Sequence, residues 1–204
     1  MALLYTTLEK EAHAEQVIEK SRFIAHAAPA ASRQEAEAFI ERIRAQYRDA
    51  THNVPAFVLG DKQQTVWGSD DGEPGGTAGS PVALLIANEG LTNTVVVVTR
   101  YFGGIKLGPG GLVRAYTSSA RLALDAAGRL DVYERAQKKV RVDYTYLGKL
   151  QTAEKDAPYD LSVLDYADKV TVSLGYAPED EPAVIQLLSN ICSGSFELLE
   201  DLPE

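Results

Sequence analysis

The chain has 204 residues, 20 Lys/Arg against 29 Asp/Glu, a formal charge of −9, 45% hydrophobic residues and one cysteine. Such a length makes one large or two small domains, and such a balance of apolar and charged residues excludes a disordered chain. The lone Cys192 excludes an intramolecular disulfide framework; no apolar run approaches the 18 residues of a membrane helix, and the opening MALLYTTLEKEAHAE lacks a signal-peptide pattern, so a cytoplasmic location without a membrane partner is expected.

In chain order, Leu3–Thr7, Gln16–Ile18 and Arg22–Ala28 read as strands. Ser32 and Glu35 form a capping box, and Ala36, Phe39, Ile40, Ile43 and Tyr47 line one face of the helix that follows. His52–Leu59 and Gln64–Gly68 suggest a hairpin around Gly60-Asp61. A helix is predicted to start between Thr77 and Pro81 and to end before Gly90, with Ser80-Pro81 as its cap and first residue. Thr94–Tyr101 contains Val95–Val98, a run expected of a strand buried on both faces. A helix from about Gly111 to Ala127 stops at Gly128.

A boundary near Glu134–Gln137 divides the chain into residues 1–135 and 136–204. In the second part Val140, Val142, Tyr144 and Tyr146 alternate as a strand, and a helix is expected around Leu147–Asp156. Strands over Tyr159–Val163 and Val170–Tyr176 flank a turn at Asp165–Asp168. A helix over Pro178–Asn190 and a strand at Phe196–Leu198 complete a β-α-β-β-α-β order, the ferredoxin-like unit. The fold class is α+β with two domains.

The two parts differ in charge. Residues 1–135 carry 14 Lys/Arg and 16 Asp/Glu, whereas residues 136–204 carry 6 and 13. An anion site is therefore expected as a local patch in the first part, because the second would repel phosphate.

Two segments carry chemistry. Residues 69–79, SDDGEPGGTAG, place Asp70, Asp71 and Glu73 within four positions among glycines. They read as a tight turn with acidic caps, as a Mg²⁺ site, or as support for a basic loop. Residues 100–116, RYFGGIKLGPGGLVRAY, leave a strand and enter a helix through Gly103, Gly104, Gly108, Gly110 and Gly111. Such a loop either serves close packing or gathers backbone N–H groups for an anion. Arg100, Lys106 and Arg114 add positive charge, and Tyr101 and Phe102 offer rings for stacking or packing. The P-loop pattern fails because Pro109, not lysine, follows Gly108; the dinucleotide pattern fails because Val113 stands where its last glycine belongs.

Smaller signals are Lys20 and Arg22, which alternate on a strand and so leave one face, and His52, which opens a strand either as a cap or as a functional imidazole. His13 and His26 lack ligand partners at metal spacing, and Cys192 reads as core. There is no GxSxG or HExxH pattern, and no catalytic residue is assigned.

The segments SDDGEPGGTAG and VVVVTRYFGGIKLGPGGLVRAY, together with Lys20-Ser21-Arg22-Phe23-Ile24 and Ala50-Thr51-His52-Asn53, resemble the signature of the IMPACT family. Val54 and Pro55 depart from it, standing where the family has a cysteine and an aromatic. The resemblance implies a first domain similar to ribosomal proteins and to domain IV of the translocating elongation factor, followed by a small ferredoxin-like domain. It also implies a translation-linked role, as in eukaryotic relatives that act through protein contacts.

The leading expectation is a non-enzymatic RNA- or ribosome-binding protein that holds phosphate with Arg100, Tyr101, Gly103, Gly104, Lys106, Gly110, Gly111, Arg114, Lys20, Arg22 and His52. One alternative is a metal-assisted enzyme in which Asp70, Asp71 and Glu73 hold Mg²⁺ against a phosphorylated small molecule and His52 is the base; no other cofactor is expected. The other is a protein-interaction module that contacts a translation-related protein.

Overall fold

A computed structural model describes residues 2–199. It divides into two compact units, one spanning Leu4–Val132 and the other taking Tyr133 onward with the first residues of the chain.

The first unit is built on β1 (Leu3–Leu8), β2 (Ala12–Ile18), β3 (Ser21–Pro29), α1 (Arg33–Gln46), β4 (His52–Leu59), β5 (Thr65–Gly68), α2 (Gly79–Asn88), β6 (Thr94–Tyr101), α3 (Gly108–Ala127) and β7 (Arg129–Tyr133). Five strands pair in the order β2-β3-β6-β4-β5, every pair antiparallel, and β1 pairs with β7 in a separate ribbon. The valine run lies in the central strand and is buried throughout. Val95 and Val97 face one core with Phe39, Ile40 and Ile43 of α1; Val96 and Val98 face another with α2 and α3. Period-two alternation thus sends successive valines into two different cores.

The capping box forms: the Ser32 side chain accepts from Glu35 N, and Glu35 reaches back to accept from Ala31 N. Helix α2 begins at Gly79, inside the expected window, but its cap differs from the expected Ser80: the capping acceptor is Asp70, which reaches across from the preceding loop. A remote carboxylate that meets three N–H groups outcompetes the local Ser80 hydroxyl. Lys20 also departs from its predicted strand: it sits in the β2–β3 turn at φ 63°, and β3 starts one residue later.

The second unit contains β8 (Ala136–Val142), α4 (Tyr144–Ala153), β9 (Asp160–Tyr166), β10 (Val170–Tyr176), α5 (Glu181–Ile191) and β11 (Phe196–Leu199). The strand order β11-β8-β10-β9 is that of the ferredoxin-like fold. Val140, Val142, Val172 and Leu174 share its core with Leu150 of α4 and with Val184 and Leu188 of α5. The strand predicted to reach Tyr146 ends at Val142, because the Asp143 side chain accepts from Thr145 N and turns the chain into α4. Cys192 is buried in this core, where burial pushes its thiol pKa up and so disfavours the reactive thiolate.

Candidate functional site

The acidic loop before α2 is largely engaged by the fold. Asp70 accepts from Gly76 N at 2.7 Å, Gly79 N at 2.9 Å and Ala78 N at 3.0 Å. Burial raises its pKa, but these three donors outweigh burial and hold the carboxyl below its ordinary value. Asp71 accepts from Asn53 N at 2.7 Å and lies 3.5 Å from an Arg44 guanidinium nitrogen. Its own carbonyl oxygen receives the His52 Nδ1 hydrogen at 2.7 Å.

Glu73 behaves differently. Its side chain is 4% exposed, and Oε1 accepts from Arg100 Nη1 at 2.6 Å and from the Tyr116 hydroxyl at 2.7 Å. His52 Nε2 stands 3.8 Å from the same oxygen. Burial, then the bond to Glu73, pushes the Tyr116 phenol far up, so it stays a donor. The pairing follows from register. On the central sheet Arg100 of β6 lies opposite Phe23 of β3 and His52 of β4. Arg100 continues the Val96, Val98 parity, which places it on the face that α3 covers. Its guanidinium lies 5.4 Å from the ring centres of both Phe23 and Phe102, and Nη2 donates to Ser21 Oγ at 3.2 Å.

Arg100 is therefore not the free phosphate-holding cation that the sequence suggested; a buried carboxylate neutralises it. Arg22 is likewise engaged. It makes a two-pronged pair with Glu15 at 2.7 and 2.8 Å, and its guanidinium lies 5.8 Å from the Tyr101 ring. Tyr101 donates its hydroxyl hydrogen to Asp49. Among the described residues Lys20, Lys106 and Arg114 are exposed and make no ion pair. Gly103 is required by packing: a Cβ there would lie 2.0 Å from the Lys20 backbone. Gly104 has a positive φ of 86° and Gly111 would meet Leu107 at 3.0 Å, whereas a Cβ at Gly110 would make only ordinary contact, 3.6 Å from the Arg114 guanidinium, and its φ is not positive.

A cleft of about 420 Å³ opens at this point. His52, Glu73 and Arg100 line it, with Phe102, Lys106 and Leu112 around them. The two glycine-rich segments thus meet in one place, but they contribute Glu73 rather than Asp70 or Asp71. Sequence reasoning missed Ser21 and Tyr116. Both lay inside quoted motifs, yet neither residue type signals a partner about 80 or 43 positions away.

Asp70 and Asp71 accept from backbone N–H groups, Oε1 of Glu73 accepts from a guanidinium, and no cluster of three or more His, Cys, Asp or Glu able to hold a metal occurs among the described residues. Among the described residues no helix is long and apolar enough to cross a membrane.

Residues 19–124 match the model of the Impact N-terminal domain. The chain is 37% identical to the IMPACT family member YvyE of Bacillus subtilis over 96% of its own length and 90% of that protein's. It is 46% identical to the IMPACT family member YigZ of Escherichia coli, over 52% of this chain and 53% of that one. A crystal structure of a hypothetical protein superposes with a TM-score of 0.69 at 30% identity and covers 100% of both chains. The matched segment contains every residue of the cleft, and this chain belongs to the IMPACT family.

Proposed function

We propose that this chain is a cytoplasmic, translation-linked regulatory protein that engages RNA or the ribosome through the Gly-rich loop of its first unit, without catalysis. The supporting observation is a cleft whose rim carries the unpaired Lys106 on a chain of net charge −9. A cation left open where Arg22 and Arg100 are both paired is the natural contact for a phosphate. Lys20 and Arg114 are also exposed and make no ion pair among the described residues, though neither lines this cleft, while the acidic second unit disfavours phosphate.

The test is co-sedimentation with ribosomes at low and moderate salt. Association should fall with salt and weaken in Lys106→Glu, whose slope of log K against log salt should drop by about one. Absence of association at low salt would overturn this reading. A partner that persists after nuclease treatment would favour the protein-interaction alternative. The metal-assisted alternative draws little support from carboxylates already bound by backbone and guanidinium groups.

A further inference from the structure

The His52–Glu73 pair is the least ordinary feature of the cleft. A backbone carbonyl can only accept, so the 2.7 Å bond between His52 Nδ1 and the Asp71 oxygen places the ring hydrogen on Nδ1. In the tautomer with its hydrogen on Nδ1, the ring carries its lone pair on Nε2. That lone pair lies 3.8 Å from Glu73 Oε1, and both residues line the cleft. Glu73 Oε1 already accepts two hydrogen bonds, whereas Oε2 accepts none among the described residues. In that tautomer the cleft presents two adjacent acceptors, His52 Nε2 and Glu73 Oε2, that take no hydrogen bond among the described residues and await a donor.

The rest of the cleft narrows what can supply that donor. Phe102 lines it and is 47% exposed, with the Arg100 guanidinium near its ring. Leu107, Leu112, Pro74 and Pro109 add apolar wall, and Lys106 stands unpaired among the lining residues. A volume of about 420 Å³ suits a ligand of nucleotide size. A matching ligand has a flat aromatic body, an edge that donates hydrogen bonds, and an anionic end.

We propose that the cleft receives one unpaired nucleotide whose base carries an exocyclic amino group, the amino hydrogens reaching His52 Nε2 and Glu73, the ring lying against Phe102 and the phosphate meeting Lys106. This deepens the RNA-binding reading and rests on it for the choice of ligand class. Cytosine and adenine offer an amino group to such acceptors, and guanine adds a ring N–H. Uracil offers a single N–H between two carbonyl oxygens, which would face the acceptors and be rejected. Unpaired bases are commonly read in this way, by stacking together with contacts to the base edge.

The test titrates the full chain with CMP, UMP, AMP, IMP and inorganic phosphate, followed by amide shifts of Gly103–Gly111, and in parallel with short single-stranded oligo-C and oligo-U. CMP should bind about tenfold or more tightly than UMP, and AMP than IMP. The exposed position of Phe102 makes Phe102→Ala safe for folding, and this variant should weaken CMP at least about fivefold. Because Glu73→Gln perturbs a buried pair, the ligand-side comparison of CMP with UMP is the primary readout. Binding of oligo-C above CMP, with the same base preference, identifies an RNA strand as the source. CMP binding without oligo-C binding identifies a free nucleotide, which sustains this inference and overturns the RNA reading. Equal affinity for C and U in both arms, or for CMP and inorganic phosphate, overturns the inference. Salt-sensitive ribosome association that depends on Lys106 would then leave the RNA reading standing alone.

Discussion

The two glycine-rich loops look alike in sequence and do opposite work. The loop at residues 69–79 turns its charges inward: Asp70 caps α2, Asp71 pins the start of β4, and Glu73 is buried. The loop after β6 turns its remaining charge outward, with Lys106 exposed and unpaired. They are joined at one point, the Glu73–Arg100 pair, which takes its acid from one loop and its base from the strand that leads into the other. A carboxylate near glycines is useful to a fold because it can satisfy several N–H groups at once. A lysine has no acceptor for such N–H groups, and Lys106 is left to face solvent or a ligand.

Removing the join should produce the largest effect. Glu73→Ala leaves the Arg100 guanidinium buried without its carboxylate and the Tyr116 hydroxyl without its acceptor. The first unit should lose about 3–5 kcal/mol, read as a lower denaturant midpoint. The double variant Glu73→Leu with Arg100→Leu should recover much of that loss, because it removes both charges together. A double variant as unstable as the single one would mean that the pair acts through something other than mutual neutralisation.

Asp70→Ala tests the structural half of the comparison and should cost about 1–2 kcal/mol, since two donors at the start of α2 and one in the loop before it lose their acceptor. Its pH dependence has a defined sign. The folded carboxyl is held below its ordinary value of 3.8, so Asp70 stabilises the fold above that pH and ceases to do so as the pH falls through the lower folded value. The acid limb of an unfolding curve should therefore be shallower in Asp70→Ala than in the parent. Ribosome association at neutral pH should survive wherever the variant remains folded.

Much of the fold was legible because local chemistry and periodicity agree with it. The capping box at Ser32, the valine run of β6 and the alternation in the second unit each follow from spacing along one segment. The site was less legible because its chemistry is long-range. Arg100 reads as a free cation within its own motif, and only the register that sets β6 between β3 and β4, with α3 packed above, reveals Glu73 and Tyr116 beside it. The cap of α2 was misread for the same reason: Ser80-Pro81 is a sound local signal, but Asp70 lies eight to nine residues back and reaches three donors.

The smallest expected effect on stability is the most informative about the loop, because a glycine can be demanded by the backbone or by a ligand and the sequence does not distinguish them. Gly103 and Gly110 separate the cases. A Cβ at Gly103 would lie 2.0 Å from the Lys20 backbone, so alanine there must displace the chain. At Gly110 the nearest atom a Cβ would meet is an Arg114 guanidinium nitrogen at 3.6 Å, and the residue lies in the first turn of α3 with ordinary helical angles. Nothing in the fold asks for glycine at that position. Gly110→Ala should therefore be neutral or should stabilise the first unit by up to about 0.5–1 kcal/mol, in line with the helix preference for alanine. Ribosome association that weakens in Gly110→Ala while the denaturant midpoint holds or rises would assign this glycine to close approach of a ligand at the helix start. Unchanged association would confine the contact to Lys106 and the cleft wall.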